Sequence, residues 1–326
     1  MIRILLAMGL MIMPSGVAFG QDRLLPGDTC FVLNLNVKLA LQSKELREIA
    51  VPWLDGAGKG NGHQLVELAK VIGIDPLRDL STITLASGSG RDGERVMLIL
   101  RGTWNRESVA KRLQDQSVQK GSGFSPSSPS LEQPVYQLTL NSRNSARMHV
   151  LLAADGAFIA SLSADYVAQV IKAPQRPNFS NKLFQQMVGN LDPNALFTAA
   201  VAGEGIDWKM IPEGNVRDAF KAMRGIMGRI DSSGSELKLQ MSLESDDAES
   251  AAATRQALED LTGQSLGYVE GLAKNQPVLK GLQTAMKSVK AESKGAQVHL
   301  RASLPVAESL GLLNPSTYRQ GKNIDP

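Results

Sequence analysis

The stretch Gly263-Gln264-Ser265-Leu266-Gly267 matches the G-x-S-x-G pattern that surrounds the nucleophile of many serine hydrolases. That chemistry needs the serine on a sharp turn between a strand and a helix, beside N–H groups that hold an oxyanion. The residues before Gly263 favour a helix instead. No Asp lies between Ser265 and His299, so Glu270 or Glu292 would have to orient that histidine. A turn between two helices explains the glycines better, and a secreted serine hydrolase using Ser265 is the alternative function.

Two further patterns suggest a phosphate loop and a calcium site. In the glycine-rich stretch Gly56–Gly62, Asn61 stands where a dinucleotide-binding loop needs its third glycine, and the preceding segment favours a helix rather than a strand. The carboxylates of the acidic stretch Glu244–Glu249 lack the alternate spacing of a calcium loop. A surface connection explains the first pattern, and a helix capped by Asp247 explains the second. We therefore predict no metal, no cofactor and no catalytic residue.

The histidines and the single cysteine are dispersed along the chain. His63, His149 and His299 show neither an orienting carboxylate nor a partner nucleophile in the sequence, so structural roles are favoured. Cys30 excludes an intrachain disulfide because it is the only cysteine. It opens an alternating apolar stretch that predicts a buried strand position, and an interchain disulfide or a reactive thiol is the alternative.

The first 20 residues have the organisation of a secretory signal peptide. Arg3 supplies the positive charge, an apolar run spans Ile4–Met13, and small residues flank Phe19. We predict cleavage between Gly20 and Gln21 and export to the periplasm or the extracellular space. An uncleaved membrane anchor is the alternative, although a bilayer span needs about 20 apolar residues. We expect the mature chain to have no transmembrane span and to be soluble.

Composition places the chain among ordinary globular proteins. Of its 326 residues, 43% are apolar and 21% are charged, and 35 Lys and Arg against 32 Asp and Glu give a net charge of +3. These values exclude collagen-like, fully disordered and multi-spanning membrane chains. The nearly balanced charge gives no reason to expect a nucleic acid partner.

Strand and helix patterns alternate through residues 21–173 without a regular βαβ rhythm, which predicts an N-terminal α+β lobe. Asp155-Gly156 predicts a two-residue hairpin turn. Residues 116–134 are rich in Ser, Pro and Gly and predict a mobile loop. The predicted strands span 29–37, 81–86, 95–101, 135–140, 147–153 and 158–162, and the predicted helices span 43–54, 64–72, 105–114 and 164–172.

A linker at 174–177 leads to a second α+β lobe over residues 174–314, followed by a polar tail at 315–326. Two local matches indicate an internal duplication, or two unrelated units that share capping chemistry. Strand 95–101 leads into Asn105 as strand 237–243 leads into Asp247, and Met148–Leu151 resembles Val298–Arg301. The predicted strands of this part are 195–201, 237–243 and 297–303, and the predicted helices are 216–227, 248–261 and 278–288.

Three short motifs carry a family resemblance. Leu25-Pro26-Gly27-Asp28 precedes a strand, the turn Gly73–Leu80 precedes another, and Gly102-Thr103-Trp104-Asn105 joins a strand to a helix. Together they resemble a family of exported bacterial proteins of unknown function. The resemblance covers mainly residues 25–115 and implies an α+β fold, without catalytic residues to transfer.

The sequence therefore predicts an α+β fold with antiparallel sheets and helices packed on one face, in two related lobes. We expect an exported, non-catalytic protein that binds a ligand or associates with the cell envelope. If the sheet and helices leave an apolar groove, an apolar small molecule, a lipid-like ligand or a peptide would fit, and an envelope protein is a further candidate partner.

Overall fold

A computed structural model describes residues 24–54, 69–89, 95–118, 124–128, 134–139, 147–172, 178–206, 215–274, 276 and 279–306. The predicted signal peptide, the predicted linker at 174–177 and the predicted polar tail lie outside these residues. Every strand described is part of one sheet.

The sheet contains twelve strands among the described residues, and every neighbouring pair is antiparallel. Its order is β11-β12-β10-β9-β8-β1-β2-β3-β7-β6-β5-β4. The strands are β1 Thr29–Asn36, β2 Leu80–Gly88, β3 Val96–Gly102, β4 Phe124–Ser128, β5 Val135–Thr139, β6 Arg147–Leu152, β7 Phe158–Ser161, β8 Phe197–Ala202, β9 Met223–Ser233, β10 Glu236–Ser245, β11 Lys290–Lys294 and β12 Gln297–Pro305.

Helices precede, connect and follow these strands. The helices are α1 Val37–Gln42, α2 Lys44–Leu54, α3 Arg106–Val118, α4 Ala164–Lys172, α5 Lys182–Gly189, α6 Asn215–Lys221, α7 Ala248–Ala273 and α8 Lys280–Ser288. Residues 69–72 are also helical. The predicted α+β class with an antiparallel sheet is confirmed.

The helices pack on both faces of the sheet, whereas the sequence suggested one face. Strand residues alternate between the faces, so paired positions across strands identify each side. Face A carries Leu35, Ile83 and Leu100, which pack with α1, α2 and α3. Face B carries Val32 and Ala86, which pack with α4 and α5. The central strands are apolar toward both sides, and such strands can be covered on both sides.

The predicted boundary between residues 173 and 174 divides neither the sheet nor the core. β1 pairs with β8 from Phe31↔Val201 to Leu35↔Phe197, so strands from both predicted lobes form one ladder. The core on face B likewise combines Val32 of the first part with Phe184 of the second. Hydrogen-bonded pairing between distant segments is invisible in the local patterns that suggested separate lobes.

Two local predictions are wrong in part. The predicted loop at 116–134 contains the end of α3 and the strand β4, which pairs with β5 from Phe124↔Leu138 to Ser128↔Val135. The predicted helix at 216–227 ends at Lys221, and β9 begins at Met223. Both strands form by pairing with neighbours, which compensates for a composition that favours other structures.

The hairpin predicted at Asp155-Gly156 is present, but its loop has three residues rather than two: Ala153 N–H donates to the carbonyl oxygen of Ala157 at 2.8 Å, and Ala154, Asp155 and Gly156 lie between them. Gly156 N–H donates to the carbonyl oxygen of Ala153 at 2.9 Å, and Gly156 has φ +85°, which glycine adopts readily. β6 and β7 therefore pair directly on either side of this turn.

Candidate functional site

Ser265 lies inside α7, which continues through Gly263 and Gly267 to Ala273. Its side chain is buried, and its Oγ has no hydrogen-bond partner in the described structure. The helix replaces both the predicted turn and the strand–turn–helix geometry that a nucleophile of this pattern needs. Glu270 is engaged by Lys287, with 2.9 Å between Oε1 and Nζ, and this hydrogen bond lowers the pKa of Glu270.

The histidine that follows Ser265 in the sequence contacts a different serine. His299 Nδ1 lies 3.0 Å from Ser242 Oγ, across the paired strands β12 and β10. Glu292 stands opposite His299 on β11. β10 is paired on both sides, so the backbone N–H groups around Ser242 bond within the sheet and do not form an oxyanion hole.

Cys30 occupies a fully buried position on β1. Burial raises the pKa of its thiol to about 11, with further increases from the negative charges of Glu204 and Asp28. A thiol with that pKa is protonated at neutral pH and is a poor nucleophile. The structure agrees with the buried interpretation.

The other predicted positions that the structure describes lie in a strand and at a helix start. His149 lies half-buried on β6, and burial lowers its pKa. His63 and the stretch Gly56–Gly62 lie outside the described residues. Asp247 caps α7, because its Oδ1 accepts from the backbone N–H of Ser250 at 2.7 Å. Within the described ranges, no three His, Cys, Asp or Glu side chains are grouped to hold a metal ion.

A continuous apolar strip on face A distinguishes strands β9, β10 and β12. Seven of the apolar side chains that point to this face form the strip, and each of the seven is only partly buried. We refer to them as the apolar strip: Ile230, Leu237, Leu239, Met241, Leu300, Ala302 and Leu304. The polar residues that alternate with them along the strands point to face B.

The apolar strip lies between two buried cores. Ile230 and Leu237 border the core formed with α1, α2 and α3. Met241 and Leu300 border a smaller core beneath α7, which includes Leu243. Leu239, Ala302 and Leu304 belong to neither of these described cores and remain partly exposed.

Register makes the strip continuous across the strands. Leu239 stands opposite Ile230 on one side and Ala302 on the other, and Met241 stands opposite Leu300. Four residue steps of about 3.4 Å along β10 and β12 give a length of about 14 Å, and Ile230 extends the strip onto β9, about 4.8 Å from β10.

A second feature is a cleft beside α3, between the end of β3 and the β6–β7 turn. Its volume is about 350 Å³. We call it the Trp104 cleft, and its lining is Arg101, Gly102, Trp104, Arg106 and residues Ala154, Asp155, Gly156 and Ala157. Trp104 Nε1–H donates to the carbonyl oxygen of Gly156 at 3.0 Å, which fixes the indole against the β6–β7 turn.

Neither feature could be recognised as a site from the sequence alone. The alternating apolar residues of 237–243 and 297–303 indicated the strands, but not that the apolar side would remain partly uncovered. The Gly102–Asn105 motif carries a family resemblance, and its residue types do not indicate a binding site. Trp104 and Gly156 are 52 residues apart in the chain, and they meet through the hydrogen bond of 3.0 Å between Trp104 Nε1 and the carbonyl oxygen of Gly156. Local sequence patterns do not indicate a contact between loops so far apart.

Comparisons with known proteins give structural similarity alone. No protein-family model matches the sequence, and no curated protein matches it. Crystal forms I, III and IV of TP0453 resemble the structure with TM-scores of 0.47 at 7–8% sequence identity. These alignments cover 92–93% of this chain and 97–99% of the TP0453 chains. Among the helices that the structure describes, none is both long enough and apolar enough to cross a membrane.

Proposed function

We propose that this protein is an exported, non-catalytic binding protein that holds an acyl chain or a similarly apolar small molecule on the apolar strip. The observation that carries the proposal is the partial exposure of seven adjoining apolar side chains, between two cores that are themselves well buried. Contiguous apolar side chains that stay partly accessible to solvent are one of the features that mark a ligand-binding groove.

The chemistry of the strip favours an apolar ligand. Its side chains carry no charge and no hydrogen-bonding group, so affinity would come from removal of apolar surface from water. Its length of about 14 Å accommodates a stretch of extended acyl chain, and the charged residues of β10 lie on the opposite face. A peptide would need polar partners for its backbone, which the strip does not offer.

Binding can be tested with the fluorescent fatty acid cis-parinaric acid. We expect saturable binding to the purified protein, and Leu239→Lys should weaken it at least about tenfold because a charge enters the strip. Gln240→Lys is the matched control, since it introduces the same side chain one residue away on face B. Circular dichroism would establish that both variants are folded.

Ala302→Trp provides a second variant that fills the strip without adding charge. We expect it to compete with the ligand and to reduce the number of binding sites. Absence of saturable binding by the wild-type protein, or equal losses in Leu239→Lys and Gln240→Lys, would contradict the proposal.

Export is the second component of the proposal, and it is supported by the apolar run Ile4–Met13 followed by small residues around Phe19. N-terminal sequencing of the protein after expression from its full sequence in a bacterium should give Gln21 as the first residue. A chain that retains Arg3 and sediments with membranes would support the alternative of an anchor.

A further inference from the structure

The Trp104 cleft is lined by two segments, the connection from β3 to α3 and the β6–β7 turn, and the turn before β2 supports the first of them. Thr103 N–H donates to the carbonyl oxygen of Asp79 at 2.8 Å, which ties the end of β3 to the turn before β2. The Trp104 indole ties the same segment to Gly156. A Cβ on Gly102 would overlap the carbonyl oxygen of Asp79, so only glycine permits this approach. These contacts fix the backbone on which the side chains that line the cleft are carried.

The charges at the cleft leave one cation available. Arg101 Nη1 lies 3.0 Å from Asp155 Oδ2, and Asp155 Oδ1 accepts from the backbone N–H of Ala157 at 3.1 Å. Both carboxylate oxygens of Asp155 are thus engaged. Arg106, at the first position of α3, is exposed, and its guanidinium makes no hydrogen bond or ion pair in the described part of the chain.

We propose that the Trp104 cleft binds a small organic anion, with a carboxylate or phosphate group on Arg106 and the organic part against the Trp104 indole. A guanidinium presents paired N–H donors that match the oxygens of either group. The fixed indole supplies an apolar wall beside them. A volume of about 350 Å³ lies at the small end of ligand pockets, which favours a compact ligand.

This site is separate from the apolar strip and does not depend on the proposed function. The cleft lies on β3, α3 and the β6–β7 turn, whereas the strip lies on β9, β10 and β12. A protein that binds no fatty acid could still bind an anion here, so the two proposals can fail independently.

The test is an NMR titration that follows the indole N–H of Trp104, assigned from its loss in Trp104→Phe. Benzoate and phenyl phosphate are the two anionic probes, and benzyl alcohol is the neutral probe of similar size. We expect saturable shifts with one or both anions and none with benzyl alcohol at the same concentrations. The better of the two anions identifies the preferred group.

Arg106→Gln should weaken anion binding at least about tenfold, because it removes the unpaired charge. Lys111→Gln is the matched control, since Lys111 is an exposed cation on the same helix but does not line the cleft. Raising the salt concentration should weaken binding to the wild-type protein. Equal shifts with benzyl alcohol, no saturation with either anion, or equal losses in both variants would overturn the proposal.

Discussion

The step from β3 to α3 and the step from β10 to α7 share their local construction but differ in burial. Asn105 Oδ1 accepts from the N–H of Ser108 at 2.8 Å, and Asp247 Oδ1 accepts from the N–H of Ser250 at 2.7 Å. In each case the last of the strands that follow the helix pairs with the strand that precedes it: β7 pairs with β3, and β12 pairs with β10. The two regions therefore share the way in which the helix is capped and the strands are connected.

The surroundings of the two strands differ. In β3, Met97 and Ile99 pack under α4 and α5 on face B, and Leu100 packs on face A. In β10, only Leu243 and Ser245 are fully buried. Face B of β10 carries charged and polar residues, and α7 covers face A only near Leu243. The comparison shows that the burial of a strand depends on which helices pack against it and not on how the strand connects to the helix that follows it.

Truncation of an apolar strand side chain to alanine should give the largest difference in stability between the two regions. Ile99→Ala should lower the free energy of unfolding by about 2–5 kcal/mol, because it leaves a cavity in a fully buried site. Leu239→Ala should cost about 1 kcal/mol or less, because the side chain is partly exposed and its site can relax. Urea unfolding measures both. Similar losses in the two variants would show that β10 is covered as fully as β3.

Replacing a glycine by alanine should change the free energy of unfolding in opposite directions in the two regions. Gly102→Ala should lower the free energy of unfolding by about 1–3 kcal/mol, because the new Cβ overlaps the carbonyl of Asp79. Gly263→Ala should raise it by about 0.4–1 kcal/mol, because the site on α7 is open and helical. Thermal unfolding of the two variants beside the wild type checks both signs. A destabilised Gly263→Ala variant would mean that this face of α7 is covered.

The two helix caps should respond differently to pH. Asn105→Ala should cost about 1 kcal/mol at every pH at which the protein folds, because the amide does not titrate. Hydrogen bonds from Ser250, the backbone bond above all, lower the pKa of Asp247. Its charged cap therefore contributes fully above the unfolded carboxyl pKa of about 3.9 and is lost as pH falls through the lower folded value.

Urea unfolding of Asp247→Ala at pH 7 and at pH values below about 4 measures this loss, and Asn105→Ala is the control. We expect the destabilisation by Asp247→Ala to shrink toward acid while that of Asn105→Ala stays constant. A destabilisation by Asp247→Ala that does not change with pH would mean that its charge contributes nothing to the cap.

Much of the fold's local structure could be predicted from the sequence. The starts of α3 and α7 follow from capping residues, and the β6–β7 turn follows from Asp155-Gly156. The internal duplication stays a prediction. The first of the two sequence matches falls at corresponding connections, from β3 to α3 and from β10 to α7. In the second match, Met148–Leu151 lies in β6 and Val298–Arg301 lies in β12. These two strands hold different places in the sheet, because β12 pairs with β10 whereas β6 does not pair with β3.

β4, β9 and β11 escaped prediction as strands, and each is stabilised by the strands beside it. β4 and β11 lie at the two edges of the sheet, and β11 is short and rich in charge. Charged edge strands are common because they discourage pairing with other chains. Their backbone hydrogen bonds come from β5 and β12, so their own composition gives little indication of a strand.

The sequence by itself determined the alternation of apolar residues, the capped helix starts and the tight turn at Gly156, since each depends on interactions within a few residues. Only the tertiary structure decided that β1 joins β8 in one sheet, that helices cover both faces of its centre, and that the apolar strip stays partly exposed. It also decided that Asp79, Thr103 and Gly156 meet around Trp104. The physical reason is that burial and long-range hydrogen bonding depend on which distant segments come together, and local sequence patterns do not specify those partners.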